Sequence, residues 1–217
     1  LAPSPTGLVR RAAMERAARR EQVLGCAVRV FSRKGYHATT VSDIIEEAGV
    51  ARGPFYLYFK SKRAIFDELL DDDLARIREQ IRRVDLSAGA APPVEQHLDM
   101  VERILDVLLD SKDLTRILLH AAVGLDDDFD RKLAGFYGEV ASLIEGSLRL
   151  GQQMGIVIAC DVRVAALCIL GAVKEVVDQA AAEPGTMPDR SALARELLRF
   201  GAGGVLMSDA AAGLEAG

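Results

Sequence analysis

The stretch from Thr39 to Lys62 constrains the fold most, because it has the pattern of two short helices joined by a tight turn. Thr40 and Asp43 have the spacing of a capping box at the start of the first helix. Gly49 follows its last turn, where a residue without a Cβ accepts a left-handed conformation. A second helix is predicted from about Ala51 to Phe59. Because a helix-turn-helix places its second helix in the major groove of DNA, the stretch predicts a DNA-binding element.

A longer helix is predicted on each side of this stretch. The one before it runs from about Arg11 to Lys34, with an inward apolar stripe formed by Val23, Leu24, Ala27, Val30 and Phe31. The one after it runs from about Lys62 to Val84, roughly 35 Å at 1.5 Å per residue. This fourth helix is longer than a DNA-reading domain needs, so we expect it to continue into a second domain as a mechanical link.

Residues 1–10 contain Pro and Gly and are predicted to be a disordered arm. Arg10 and Arg11 at its end can reach phosphates or a minor groove, as basic arms do in other proteins. A tail without contacts is an equally good interpretation of the same residues.

The charges divide unevenly along the chain. Residues 1–65 hold 12 Lys and Arg against 5 Asp and Glu, whereas the other 152 residues hold 15 against 27. The net charge of −5 therefore conceals a basic first part of +7 and an acidic remainder of −12. Since the basic part coincides with the helix-turn-helix, the asymmetry favours a nucleic-acid-binding end over a merely solvated face.

The remainder of the chain, residues 66–217, is predicted to be a single all-helical domain. Its apolar spacing indicates helices at about 94–109, 112–123, 127–150, 161–182 and 189–207, and no stretch alternates long enough to predict a strand. With the four N-terminal helices, the fold class is all-α with about nine helices. The last two helices are rich in small and apolar residues. From the residues alone, they either bury one another or form a dimer face.

The sequence argues against several other classes of protein. The longest apolar run, Val164 to Val173, has 10 residues, against the roughly 18 that a membrane span requires. No segment predicts export, and three scattered cysteines are typical of reduced thiols in a cytoplasm. No hydrolase, phosphate-loop or paired-cysteine motif is present, and the histidines His37, His97 and His120 share no metal-ligand spacing. We therefore expect no enzyme activity, no metal and no cofactor.

The segment F-S-R-K-G-Y-H-A-T-T-V-S-D-I-I-E-E-A-G-V-A-R-G-P-F-Y-L-Y-F-K-S-K resembles the DNA-binding signature of TetR-family (tetracycline-repressor-like) transcriptional regulators. The likeness begins near Glu21 and is strong through Leu69; beyond it only the helix pattern and chain length are similar. The resemblance implies a three-helix DNA-binding domain at 11–65 and an effector-binding and dimerisation domain at 66–217. It also implies a homodimer through the last two helices, which would settle the alternative left open above.

Carried over residue by residue, the resemblance implies two sets of DNA contacts. Residues facing bases and backbone on the recognition helix would be Arg52, Gly53, Phe55 and Tyr56, although Phe55 also suits a core position. Residues holding phosphates would be Thr39, Thr40, Tyr58, Lys60 and Lys62. Arg pairs bidentately with guanine, whereas Lys, Thr and Tyr hold backbone oxygens without reading sequence. Pro54 departs from the small or hydroxyl residue common in the family and removes one N–H donor.

An effector pocket is expected among soft, apolar or imidazole side chains of the second domain, although such residues are more often plain core. The candidates are His97, Met100, Ile104, Leu118, His120, Phe136, Tyr137, Met154 and Cys168. A lipophilic effector is expected. The sequence thus predicts a cytoplasmic repressor that binds a palindromic operator as a homodimer and is released by a small molecule. The alternatives are a DNA-binding regulator without an effector, and a helical enzyme or carrier with a DNA-binding end.

Overall fold

The structure, a computed structural model, describes residues 5–121, 127–183 and 185–205. Over these ranges the regular elements are all helices and no β-strand forms, which confirms the predicted all-α class. The chain divides into two compact units, Leu1–Asp72 and Asp73–Gly217. No helix within the described ranges is long and apolar enough to cross a membrane.

The first unit contains three helices and the start of a fourth. They are α1 Pro5–Lys34, α2 Val41–Ala48, α3 Arg52–Phe55 and α4 Lys62–Gln80, which continues into the second unit. The predicted stripe of α1 is buried throughout and packs with apolar residues of the other helices. The largest fully buried side chains of the other helices in this unit are Ile44, Phe55, Ile65, Phe66 and Leu70. The hydrophobic spacing thus predicted this core correctly.

The first helix begins at Pro5, six residues before the predicted start at Arg11. Residues 5–10 are therefore helical and do not form the disordered arm that we expected. Proline is well tolerated in a first helical turn, since its missing N–H has no helical partner there. Gly7 costs a helix only about 1 kcal/mol against Ala, and the following residues are mainly Ala and Arg, both good helix formers.

The recognition helix and the fourth helix are both shorter than predicted. Helix α3 ends at Phe55 rather than Phe59, because Leu57 N bonds to Pro54 O (3.1 Å) and Tyr58 N to Phe55 O (2.9 Å). These i to i+3 bonds tighten the chain into 3₁₀-like turns. Helix α4 ends at Gln80 rather than Val84, after the bond from Ile81 N to Arg78 O (3.1 Å) closes its last turn in the same way.

The boundary between the units lies seven residues later than the predicted division at 65/66. The reason is aromatic packing across the first unit. The ring of Phe66 lies 4.7 Å from that of Tyr36 and 5.8 Å from that of Phe31, measured between centroids. The first two turns of α4 therefore belong to the core of the first unit.

The second unit consists of the end of α4 and five further helices. These are α5 Pro93–Asp110, α6 Lys112–Arg116, α7 Asp127–Gln153, α8 Val162–Ala182 and α9 Arg190–Val205. A π-helical turn, Ile117–Ala121, follows α6 directly. Four of the five predicted helices of this part are present within three residues of their expected bounds, apart from 206–207, which lie outside the described residues. The fifth, predicted at 112–123, is α-helical only to Arg116 and continues as the π-helical turn to Ala121; residues 122–123 lie outside the described residues.

Two apolar clusters hold the second unit together. The larger joins α5, α8 and α9 through Leu105, Leu109, Val177, Leu193 and Ala194. The smaller joins α7 and α8 through Leu148, Val157 and Ala166. Arg163 and Arg149 both pair with the buried carboxylate of Glu145 at 3.1 Å, which adds an ionic link between α7 and α8.

Candidate nucleic-acid interface

The turn between α2 and α3 is built by the local rules that its sequence predicts. The Thr40 side chain accepts from Asp43 N (3.2 Å), and the Asp43 carboxylate accepts from Thr40 N (2.8 Å). Gly49 has a φ of 61° and ends α2 in the left-handed conformation. Val50 N then bonds to Ile45 O (3.3 Å), which completes the exit from the helix. The predicted capping box and glycine turn are both confirmed.

Two of the three acidic groups of α2, Asp43 and Glu47, are paired with bases of α1. Glu47 accepts from Arg29 at 3.0 Å and from Arg33 at 3.1 Å, and these bonds lower the pKa of its carboxyl. Lys34 donates to Asp43 at 2.7 Å, and this bond, with those from Thr40, lowers the pKa of Asp43 to about 2. Because these acids stay ionised and paired, they do not offset the bases near α3.

Four predicted DNA contacts lie on the outer surface of α3 and the turn after it. Arg52, Gly53 and Lys60 are exposed, and the Tyr56 side chain is 45% exposed. No described residue forms a hydrogen bond or ion pair with the Arg52 guanidinium or the Lys60 ammonium. Tyr58 is half-buried, and Thr40 is exposed while capping α2. These six residues are thus at least partly accessible on the first unit.

Three other predicted DNA contacts have structural partners instead. The Phe55 side chain is fully buried and packs on Phe59, so it belongs to the core. Thr39 is 2% exposed, and its hydroxyl donates to Gly35 O at 2.7 Å. Lys62 donates to the carbonyls of Tyr36 and Thr39, both at 2.7 Å. Since these groups are occupied or buried, their side chains are not available to phosphates or bases.

Lys62 is the clearest case of a structural role that the sequence did not reveal. Its ammonium also donates to His37 O at 3.2 Å and lies 4.4 Å from the centroid of the Tyr36 ring. Burial lowers the pKa of this ammonium. The three carbonyls belong to the segment between α1 and α2, so Lys62 fastens α4 to the entrance of the helix-turn-helix.

Two cavities of the second unit are each lined in part by residues at or just after the end of α4. The first has a volume of about 270 Å³ and is lined by Arg82, Arg83, Val84, Asp85, Gln96, His97, Asp99, Met100 and Arg103. The second, about 210 Å³, is lined by Arg78, Ile81, Phe136, Glu139, Val140 and Leu143. Seven of the nine residues that line the first cavity are polar or charged, three of them arginines, whereas four of the six that line the second are apolar.

These cavities take in three of the nine predicted effector residues: His97 and Met100 in the first, Phe136 in the second. Leu118 is buried in the core, and Met154 and Cys168 are exposed. Tyr137 carries Lys174 Nζ 4.0 Å above its ring, and burial raises the pKa of its hydroxyl. Ile104 is half-buried outside both linings, and the side chain of His120 lies outside the described residues.

The imidazole of His97 has a defined proton position. Its Nδ1 lies 2.7 Å from Pro93 O, and a carbonyl oxygen only accepts, so Nδ1 carries the hydrogen. The other nitrogen, Nε2, then accepts when the ring is neutral and donates when it is charged. Sequence reasoning missed the arginines beside it. Arg103 pairs with Asp99, and its buried Nε has no hydrogen-bond partner among the described residues.

Within the described ranges, no group of three or more His, Cys, Asp or Glu side chains has an arrangement that could hold a metal ion. The fold and its surface define the class of protein: a helix-turn-helix unit with an exposed basic recognition segment, followed by an all-helical second unit. Residues 23–69 match the model of the family described as "Bacterial regulatory proteins, tetR family". The DNA-binding part of the chain therefore has the sequence pattern of the TetR family.

Relatives with known names agree with this assignment. An uncharacterized HTH-type transcriptional regulator of Bacillus subtilis, YdgC, is 38% identical over 45% of this chain and 51% of its own length. The fatty acid metabolism regulator protein of the same species is 29% identical over 72% of this chain and 80% of its own length. The matched segment covers about half of the length of YdgC and about a third of the length of the next three curated relatives. These relatives are transcriptional regulators, which is the class that the sequence predicted in place of an enzyme.

Solved structures share the fold over most of the chain. FadR of Bacillus subtilis in complex with stearoyl-CoA is 27% identical, with a TM-score of 0.64 over 85% of this chain and 98% of that one. The fatty acid degradation regulator FadR of Bacillus halodurans is 25% identical, with a TM-score of 0.66 over 86% of this chain and 95% of that one. The helical arrangement of both units is therefore found in known regulators.

Proposed function

We propose that this protein is a transcriptional repressor that binds a palindromic operator as a homodimer and is released by a small-molecule effector. The observation that carries the proposal is that Arg52 is exposed and has no partner among the described residues, on a helix-turn-helix where Asp43 and Glu47 are paired with bases of α1. An unpaired guanidinium on a recognition helix is suited to guanine O6 and N7. Because its partner is chromosomal DNA, the protein would work in the cytoplasm.

The residues around Arg52 divide between reading and holding DNA. Arg52 and Tyr56 would face base edges, and Gly53 would let the backbone approach closely. Thr40, Tyr58 and Lys60 would hold phosphates, which positions the protein but carries no sequence information. Phe55, Thr39 and Lys62 would support this surface from beneath. Pro54 has no N–H, so the phosphate contacts would differ there from the family pattern.

The dimer would form through exposed apolar residues of the last two helices. On α8, Val164 and Leu167 are 58% and 49% exposed, and Cys168 and Gly171 continue the same face at helical spacing. On α9, Phe200 is 71% exposed. Large apolar side chains in such a row favour a protein interface over a solvated surface. The symmetric partner would then set the spacing of the two recognition helices, about 34–36 Å or a multiple on DNA.

The effector would be an amphipathic anion, by the chemistry of the two cavities. Arginines and His97 of the first cavity suit an anionic group, and Ile81, Phe136 and Val140 of the second suit an apolar chain. Ile81 and Arg82 are consecutive, so one ligand could reach both sets of residues. The stearoyl-CoA held by the Bacillus subtilis relative has both chemical parts. Binding at this point would act on the end of α4, whose beginning is part of the DNA-binding unit.

One observation favours a second candidate, a DNA-binding regulator without an effector. The two cavities have volumes of about 270 and 210 Å³, and ligand pockets usually measure roughly 300–1,000 Å³. Thermal unfolding with and without stearoyl-CoA separates the candidates, because a ligand at 100 times its Kd stabilises the folded state by about 2.7 kcal/mol. A rise in Tm that Arg103→Met removes supports an effector. An unchanged Tm with intact DNA binding supports the second candidate.

The test of DNA binding uses the DNA upstream of the protein's own gene. Affinity is measured from about 50 to 200 mM salt, with a scrambled duplex of the same composition as control. We expect preference for the upstream DNA and a steep fall of affinity with salt, since phosphate contacts release counterions. Equal affinity for the scrambled duplex, or a flat salt response, would rule out the repressor. Lys60→Ala should weaken binding to both duplexes alike.

A further inference from the structure

Helix α1 extends well beyond the part that the first unit's core requires. Its first buried residue is Val23, whereas the helix begins at Pro5. We call residues 5–22 the extension; at 1.5 Å per residue it is roughly 27 Å long. Every side chain described from residue 10 to residue 19 is exposed. Burial of apolar surface therefore does not explain why these residues are helical.

The extension is basic, and part of its charge is uncompensated. It carries Arg10, Arg11, Arg16, Arg19 and Arg20 against two glutamates. Arg11 pairs with Glu15 at 3.1 Å, and Arg20 pairs with Glu68 of α4. Arg16 and Arg19 bond only to neutral groups, Leu57 O at 3.4 Å and Gln22 Oε1 at 3.0 Å. No described residue pairs with Arg10, so three guanidinium groups lack a carboxylate.

The extension passes beside the residues that would hold DNA. Arg16 Nη2 reaches the carbonyl of Leu57, which lies between Tyr56 and Tyr58 in the turn after α3. One turn later, the Arg20 guanidinium lies 4.8 Å from the centroid of the Phe59 ring. A guanidinium has five N–H donors, so Arg16 keeps most of them for another acceptor. Arg10 lies six residues, about 9 Å, further along the helix and away from the core.

We propose that this extension is a second DNA-contacting surface, which binds phosphates beside the half-site contacted by α3. The inference rests on the proposed function. The positive charge of the extension favours DNA phosphates as its binding partner. A solvated helix that carries several unpaired guanidinium groups next to a DNA-reading surface complements a row of phosphates. Arg16 holds the phosphate nearest the recognition segment, and Arg10 holds one further out. Such contacts add affinity and lengthen the footprint without changing the preferred sequence.

The test compares wild type with Arg10→Ala/Arg16→Ala, which removes two uncompensated charges. The control is Arg116→Ala/Arg131→Ala, which removes two positive charges from exposed positions of α6 and α7 in the second unit. Each phosphate contact contributes about −0.9 to the slope of log affinity against log salt. We expect the slope of the first variant to become shallower by about 0.9–1.8, with roughly tenfold or more loss of affinity for upstream and scrambled duplexes alike.

The outcomes separate this inference from the function on which it depends. Hydroxyl-radical footprints should shorten at both outer ends for Arg10→Ala/Arg16→Ala and stay unchanged for the control. If wild type prefers the upstream DNA but the two double variants have the same salt slope and footprint, the extension does not contact DNA. If wild type shows no preference for that DNA, the proposed function itself fails. Tm measurements on both variants verify that the fold is intact.

Discussion

At the scale of single residues, Asp73 is a buried carboxyl group with unfavourable surroundings. It is 1% exposed, and neither carboxylate oxygen has a hydrogen-bond partner among the described residues. Arg76 Nη1 lies 4.0 Å away, too far for a hydrogen bond. Burial raises the pKa of this carboxyl to about 6, from 3.8, despite the opposing charge of Arg76. Compared with the unfolded chain, the folded protein therefore disfavours the charged form of Asp73.

This pKa makes stability depend on pH in a defined direction. A carboxyl whose pKa is raised on folding favours the folded state below its unfolded pKa, and that advantage is lost as pH rises through about 6. The free energy of unfolding of Asp73→Asn should therefore be about 3 kcal/mol higher than that of wild type at pH 7.5. At pH 4 the two free energies should be about equal. Urea unfolding at both values measures this, with exposed Asp72→Asn as control. If Asp73→Asn raised the free energy of unfolding by the same amount at both pH values, the raised pKa of Asp73 would be contradicted.

Gly53 is a position where we expect DNA binding, but not folding, to require glycine. No atom lies within 4 Å of the position that a Cβ would occupy there, so the folded chain alone accepts Ala. Gly53→Ala should leave stability unchanged or raise it by about 0.5–1 kcal/mol, since Ala favours a helix. Operator binding should fall about tenfold or more, because the methyl group would enter the gap between helix and DNA.

The control for Gly53 is Gly146→Ala, at an exposed position of α7 where a Cβ also meets nothing within 4 Å. It should change stability in the same way and leave binding unaffected. Operator affinity is measured by fluorescence anisotropy and stability by urea unfolding. Full operator affinity in Gly53→Ala would show that the backbone does not approach DNA at this residue.

At the scale of elements, two neighbouring lysines should behave oppositely. Lys62 fastens α4 to three carbonyls of the segment before α2, whereas Lys60 is exposed and has no described partner. Lys62→Ala should lower the free energy of unfolding by about 1–3 kcal/mol, since its charge-assisted hydrogen bonds to three carbonyls are lost. Lys60→Ala should lower DNA affinity without changing stability. Equal stability of both variants by urea unfolding would refute the structural role of Lys62.

The elements also show what sequence reasoning can and cannot supply. The capping box of Thr40, the left-handed Gly49 and the buried stripe of α1 follow from rules that act within a few residues, so they were predicted. The three carbonyl partners of Lys62 lie 23–26 residues away in the chain, and no local pattern reveals them. Lys62 therefore looked like a phosphate ligand. The same holds for the cavity that joins Arg82 and Arg83 to Arg103, because it depends on how two helices pack.

At the scale of the whole molecule, the proposed homodimer depends on the exposed face of α8 and α9. Leu167→Glu would place a charge in that interface, where its desolvation is unfavourable, so we expect a monomer with weak operator binding. Leu86→Glu is the matched control: Leu86 is 50% exposed and Leu167 is 49%, but Leu86 lies in the loop between α4 and α5. Sedimentation velocity distinguishes the two states. A dimeric Leu167→Glu protein would place the interface elsewhere.

The central claim is that α3 reads an operator through Arg52. The direct measurement is the ratio of affinities for operator and scrambled DNA, at one salt concentration, for wild type and Arg52→Ala. A bidentate contact contributes about 1–3 kcal/mol of discrimination, so the ratio should fall roughly 5- to 150-fold while affinity for scrambled DNA changes much less. A ratio that stays at the wild-type value in Arg52→Ala would contradict the account.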